Sequence, residues 1–255
     1  MQHGDDDILR CDECNAVVND TQRFCHHCGA YLGTRAVTVN VFNNTHLRRI
    51  FVFYFVYLAI CLVVKNTSYF RTYDQLFWVE LLLAFVTLTF AWINRDGILP
   101  ILRFNNYKWW RALLLMMLAA LVSCIVSYTV HEVNVTFFNV DINYFQGYRL
   151  YYLPTLVMIY SIAFMPAVFE EIAFRGVMFN NCSAFLDERL VVAVTAFLFA
   201  IMHMSLISLI WLIPFGFLLG HLRRRYNTIW YGVLFHFVFN ITACVIDLYQ
   251  QGELF

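Results

Sequence analysis

Long apolar runs alternate with short polar, charged loops through most of this chain, and that rhythm sets the first expectation. The runs lie near residues 50–64, 75–93, 112–130, 150–169, 190–204, 206–222 and 228–248. A helix needs about 20 apolar residues to cross a bilayer, so the shorter runs extend into their flanks or tilt. A further, partly inserted helix is expected after Arg175. Residues 1–34 break the rhythm, being polar and rich in cysteine, and residues 35–49 read as a linker to a membrane domain spanning 50–250. The expected fold class is all-α: a polytopic transmembrane helical bundle of about seven spans behind a small N-terminal zinc-ribbon head.

Composition supports the membrane reading. Hydrophobic residues make up 61% of the chain and charged residues 13%, at mean hydropathy +0.64. A soluble domain carries about 25% charged residues, so lipid is the expected solvent for this much apolar surface. The formal net charge of +0 gives no electrostatic case for nucleic acid. The opening residues lack the basic-then-apolar order of a signal peptide.

Basic residues then orient the bundle. Arg48 and Arg49 precede the first run, and Arg95, Arg103, Lys108 and Arg111 follow the second. Arg175 and Arg189 follow the fourth, and Arg223, Arg224 and Arg225 follow the sixth. These are alternate loops, hence one side, whereas the loop 131–149 holds one Arg beside Glu132 and Asp141. The positive-inside rule puts the N-terminus in the cytosol of what reads as a bacterial cytoplasmic membrane.

The eight cysteines fall into two populations. Cys61, Cys124, Cys182 and Cys244 are scattered through apolar segments and read as small buried hydrophobes. Cys11-x-x-Cys14 and Cys25-x-x-Cys28 form two knuckles, the spacing of a closed four-thiolate site for structural zinc. A redox dithiol pair is the alternative. Phe24 and Gly29 suit a small ribbon with a tight turn, and His26 and His27 are expected to be exposed. So short a head has little core, and metal would supply most of its folding energy. It resembles the short zinc ribbons at the ends of many bacterial membrane proteins, with a cytosolic partner as its expected target.

Three polar clusters interrupt the last apolar runs. Glu170 and Glu171 lie at the end of the fourth, with Arg175 four residues beyond Glu171 and so able to pair with it on one helix face. That pairing leaves Glu170 about 100° away with no local cation, an acid available for proton transfer. A structural ion pair accounts for Glu171 and Arg175 but not for Glu170. A carboxylate in the bilayer costs roughly 2.5 kcal/mol or more, so such residues usually face a wet cavity or a partner. His203 follows Phe199 by one turn, which would wall its ring from lipid; alone it reads as a packed histidine. His236 and Asn240 share a helix face, and alone read as an interhelical hydrogen-bonding pair. Glu80, in the second run, reads as a hydrogen-bonded structural group. Gly216 and Gly220 permit close helix contact, and Pro166 and Pro214 invite bends.

The series Glu170-Glu171-x-x-x-Arg175, Phe199-x-x-x-His203 and His236-x-x-x-Asn240, in that order, resembles the three motifs of the CPBP family. That family comprises the CAAX prenyl endopeptidases and bacteriocin-processing enzymes, also called Abi intramembrane proteases, and the resemblance covers residues 150–248. It implies peptide-bond hydrolysis at a site inside the bilayer, acting on a membrane-associated peptide. On this reading Glu170 and His203 hold and deprotonate a water, His236 and Asn240 donate to the oxyanion, and Glu171 and Arg175 support Glu170. A catalytic metal would use two histidines and a carboxylate, but the chain has no His-Glu-x-x-His helix and Asn is a poor zinc ligand, so the metal-free form is favoured. The alternatives are a non-catalytic membrane immunity or scaffold protein on the same fold, and a small transporter with a buried proton relay.

Overall fold

In the computed structural model, residues 10–18, 25, 27–30, 32, 44–104, 107–140 and 143–253 are described. Phe24, His26, most of the linker and Asp141 lie outside them. The chain divides into two compact units, residues 1–43 and 44–255.

In the first unit the two cysteine knuckles have matching backbones. Asn15 N donates to Cys11 O at 2.8 Å and Gly29 N to Cys25 O at 2.9 Å. Each turn is closed by a residue in the left-handed region, Asn15 at φ 59° and Gly29 at φ 75°. A single antiparallel bridge joins Arg10 to Val17. His27 is exposed.

The second unit is helical among its described residues. Its helices are α1 (Thr45–Asn66), α2 (Tyr73–Ile93), α3 (Arg95–Leu102), α4 (Trp109–Phe138), α5 (Pro154–Cys182), α6 (Glu188–Met202), α7 (Leu209–Tyr226) and α8 (Trp230–Gln250). Their ends follow local chemistry. Asn44 caps α1 by accepting from Leu47 N, and Asp187 caps α6 by accepting from Arg189 N and Leu190 N. Pro154 opens α5 where a missing N–H costs nothing, and Asn139 and Asn227 end α4 and α7 in the left-handed region.

Five of these helices, α1, α2, α4, α5 and α8, are long and apolar enough to cross a membrane. The chain is thus a membrane protein, with large apolar side chains such as Trp78, Phe85 and Leu121 turned outward. The fifth and sixth of the expected seven spans become α6 and α7, with 15 and 18 residues, the latter carrying Arg223, Arg224 and Arg225 in its last turn. They pack on each other through glycine: a Cβ on Gly216 would lie 3.0 Å from Ala196 Cα, and one on Gly220 would lie 3.1 Å from Val192 Cγ1. The fourth span does not stop at Phe169 but runs on to Cys182, absorbing the separate helix expected after Arg175. Residues 131–138, read as loop, are the last turns of α4.

Helix α5 is the axis on which the site is built. It contains two wide π-helical stretches, Ile159–Phe164 and Ile172–Met178, flanking the segment that carries Glu170 and Glu171. Such widenings are often found at functional sites. Each is tied by a side chain from elsewhere. Pro166 has no N–H to offer the Ile162 carbonyl one turn earlier, and Asn240 Nδ2 donates to that carbonyl at 2.9 Å. In the second stretch, Arg223 Nε donates to the Arg175 carbonyl at 3.1 Å. Arg223 is itself buried, and its other nitrogens donate to Asn227 Oδ1 and Asn180 Oδ1.

Candidate active site

The Glu171–Arg175 pairing expected from spacing is present and fully buried. Arg175 Nη1 donates to Glu171 Oε1 at 2.9 Å, with both residues 0% exposed. Arg175 Nη2 donates to the Gly216 carbonyl at 3.1 Å, and its guanidinium lies over the Phe199 ring at 4.5 Å. Carboxylate, carbonyl and π-face thus offset most of this buried charge, while Arg175 Nε and Glu171 Oε2 stay without a hydrogen-bond partner.

His236 joins the same cluster from α8. Its Nδ1 is 3.4 Å from Glu171 Oε1, an ion-pair distance at an angle that makes no hydrogen bond. The approach depends on a residue that sequence reasoning did not single out. At Gly232, one turn before His236, a Cβ would lie 2.5 Å from Glu171 Oε2. Gly232, His236 and Asn240 therefore form one i, i+4, i+8 stripe on α8: a notch for Glu171, then two polar tips. The signal in the sequence was a glycine one turn before a histidine on the same face.

Glu170 is the acid left over. Its Oε2 is buried and has no hydrogen-bond partner, and its carboxylate is near enough to feel His236, Glu171 and Arg175. Helix α1 approaches from the other side with Tyr57 and Cys61, both within electrostatic reach of Glu170. Both glutamates keep a buried Oε2 without a hydrogen-bond partner, and the ion pair with Arg175 is what separates them: Glu171 makes it and Glu170 does not.

His203 is placed differently from expectation. It does not sit within a span but ends α6, and it is followed by Met204 in the left-handed region at φ 50°. Lys65, in the last turn of α1, donates to the Met204 carbonyl and so holds this turn. Phe199 walls the ring as expected, with centroids 4.9 Å apart, and also touches the ring of His236 at 6.1 Å. His203 Nδ1 lies 3.1 Å from the Phe199 carbonyl. A carbonyl only accepts, so this bond puts the proton on Nδ1 and leaves Nε2 with its lone pair.

His203 and Asn240 line a cavity of about 480 Å³ between α4 and α8, walled by Trp211 and Phe239, whose rings stack at 5.6 Å. Glu171, Arg175 and His236 are buried and do not line it, and Glu170 is not among its lining residues. Asn240 spends one amide hydrogen on Ile162 and keeps a second. Glu80 bonds to Ser161 on the first wide stretch, in line with a structural role, although its Oε2 is buried without a partner.

Among the described residues, the cysteines of the first unit are the group gathered tightly enough to hold a metal. Their sulfurs all lie within 4.8 Å of one another. Cys11 and Cys28 are 3.7 Å apart, and Cys14 and Cys25 are 3.6 Å apart. A disulfide would be about 2.05 Å long. Four thiolates about 2.3 Å from a tetrahedral zinc would be about 3.8 Å apart, which the spacing fits. Backbone N–H groups of Cys28 and His27 hold the Cys25 thiol down at about 6, a thiolate near neutral pH. The donor atoms of Glu170, His203 and His236 are not gathered this closely.

Comparison with known proteins places the site in context. Residues 152–242 match the model of the family described as type II CAAX prenyl endopeptidase Rce1-like. That stretch, about a third of the chain, contains Glu170, Glu171, Arg175, His203, Gly232, His236 and Asn240. No match was found among curated proteins or among solved structures.

Proposed function

We propose that this protein is an intramembrane endopeptidase that hydrolyses a peptide bond with a water activated by Glu170 and His203. The observation that carries the reading is that Glu170 stands outside the Glu171–Arg175 ion pair and has a buried oxygen without a partner, within a stretch that matches a protease family. Glu170 accepts the proton of the water, and His203 Nε2, left unprotonated by the bond at Nδ1, accepts its second hydrogen and orients it. The hydroxide attacks the peptide carbonyl. Asn240, through its remaining N–H, and His236, held 3.4 Å from Glu171, stabilise the oxyanion. The proton held on Glu170 then passes to the leaving amine. Glu171 and Arg175 act through the others by fixing α5 against α7 and α8.

The same donors suit a metal less well, since they are spread beyond the spacing that the four cysteines show. In the first unit, zinc on the four cysteines supplies folding energy. The alternation of basic loops supports a cytosolic N-terminus and a bacterial cytoplasmic membrane as the setting.

The test is Glu170→Gln in the full chain. It keeps size and hydrogen-bonding capacity and removes the base. Cleavage of a membrane-tethered reporter peptide falls by at least about 1,000-fold while thermal stability in detergent is unchanged. Turnover retained in that variant would sink the assignment.

A further inference from the structure

The cavity beside His203 and Asn240 is a groove with a measurable length. On α8 its lining runs along one face from Asn240 through Ala243 and Asp247 to Gln250. At about 1.5 Å rise per residue, that wall is about 15 Å long. The opposite wall is α4, from Val126 to Asn134. An extended chain advances about 3.3–3.6 Å per residue, so the groove matches about four residues of peptide.

Polarity changes along it. At one end stand His203 and Asn240, the middle is lined by groups such as Ile162 and Ala243, and the far end by His131, Asn134 and Gln250. Among the described residues, Asp247 is the one formally charged group lining the groove, and no lysine or arginine lines it. Asp247 cannot swing away, because Tyr144 N donates to its Oδ1 at 3.2 Å and Phe145 N to its Oδ2 at 2.9 Å. The groove therefore offers a fixed carboxylate near its far end and, among the described residues, no lysine or arginine to receive an anion. Beside a held carboxylate, a second negative charge without a matching cation is disfavoured.

We propose that this groove holds the substrate as an extended segment of about four residues on one side of the cleaved bond, apolar in its middle and uncharged or cationic at the fourth residue. An acidic side chain or a chain-terminal carboxylate at that fourth position is excluded. This deepens the peptidase reading and rests on it.

Two peptide series test the idea with the full-length protein in lipid nanodiscs. One extends two, four or six residues on the N-terminal side of the cut, the other on the C-terminal side. The four- and six-residue members carry Lys, Gln or Glu at the fourth position, and the four-residue C-terminal members are made as acid and amide. On one side, kcat/KM rises at least tenfold from two to four residues and levels off at six. At the fourth position Lys and Gln exceed Glu at least tenfold, and Asp247→Asn cuts that preference to below threefold.

Binding of the same labelled peptides to Glu170→Gln protein, read by fluorescence anisotropy, needs no turnover and follows the same length and charge order. Cleavage with no length threshold on either side, or with Glu favoured, overturns the groove assignment and leaves the peptidase intact. Length- and charge-dependent binding with no cleavage by the native protein keeps the groove and overturns the peptidase. Absence of both overturns both.

Discussion

Gly232→Ala is the sharpest probe of the polar core. The added methyl would lie 2.5 Å from Glu171 Oε2 and 3.4 Å from Glu171 Cδ. Ordinary contact needs about 3.5 Å, so the carboxylate or α8 must shift by about 1 Å. Neither has slack. Glu171 is fully buried, its Oε1 holds Arg175 at 2.9 Å, and Arg175 is anchored to Gly216 O. If the helices absorb the strain, overpacking costs about 1–3 kcal/mol; if the ion pair breaks, the loss approaches about 3–5 kcal/mol. A displacement of about 1 Å in supporting groups lowers catalysis about 100-fold. The assay is unfolding in detergent beside reporter cleavage for Gly232→Ala, Glu171→Asp and the double variant. Aspartate is one methylene shorter and withdraws from the new methyl, so the double variant is more stable than the sum of the singles by at least about 1 kcal/mol. A Gly232→Ala protein with native stability and turnover, or strict additivity in the double variant, would refute the notch.

Three further outcomes follow from other contacts. Asn240→Ala strands the Ile162 carbonyl that Pro166 cannot serve, costing about 1–3 kcal/mol; adding Pro166→Ala recovers stability but not cleavage, as unfolding and turnover measured together will show. Arg175→Lys keeps the charge but cannot reach both Glu171 and Gly216 O, so it destabilises by about 2–4 kcal/mol in the same unfolding assay. Elemental analysis finds one zinc per full chain, and none when Cys11, Cys14, Cys25 and Cys28 are all serine; that variant, with its α1–α8 unit unchanged, retains peptidase activity.

What the sequence showed plainly was whatever helical periodicity dictates. Glu171 with Arg175, and Phe199 with His203, are four residues apart, and both pairs meet as that spacing requires. The paired cysteine knuckles likewise announce their cluster. What stayed hidden depends on partners distant in the chain. The apolar run stops at Phe169 because Glu170, Glu171 and Arg175 interrupt it, and Asn180 and Asn181 lie further on in the same helix. In the fold they are satisfied by Gly97 O, Asn94 Oδ1 and Val177 O, so the helix continues through them. The wide stretches were invisible because their spare carbonyls are filled by Asn240 and Arg223 from other helices. Gly232 looked like any helical glycine, since its notch exists only once α5 lies against α8. His203 was placed within a span because Met204 and Leu206 continue the apolar run, while the left-handed Met204 that ends the helix carries no local signature.

Helix α6 has 15 residues, about 22 Å of rise against a hydrocarbon layer of about 30 Å. Where a rod that short faces lipid, mismatch would be met by drawing the two leaflets together into a dimple beside the turn from α6 to α7. Water need cross less oil to arrive at His203, and a peptide need unwind less of itself to follow. Thickness of the surrounding lipid would then become a throttle: on the proposed peptidase activity, bilayers of long acyl chains are expected to slow cleavage by deepening that dimple.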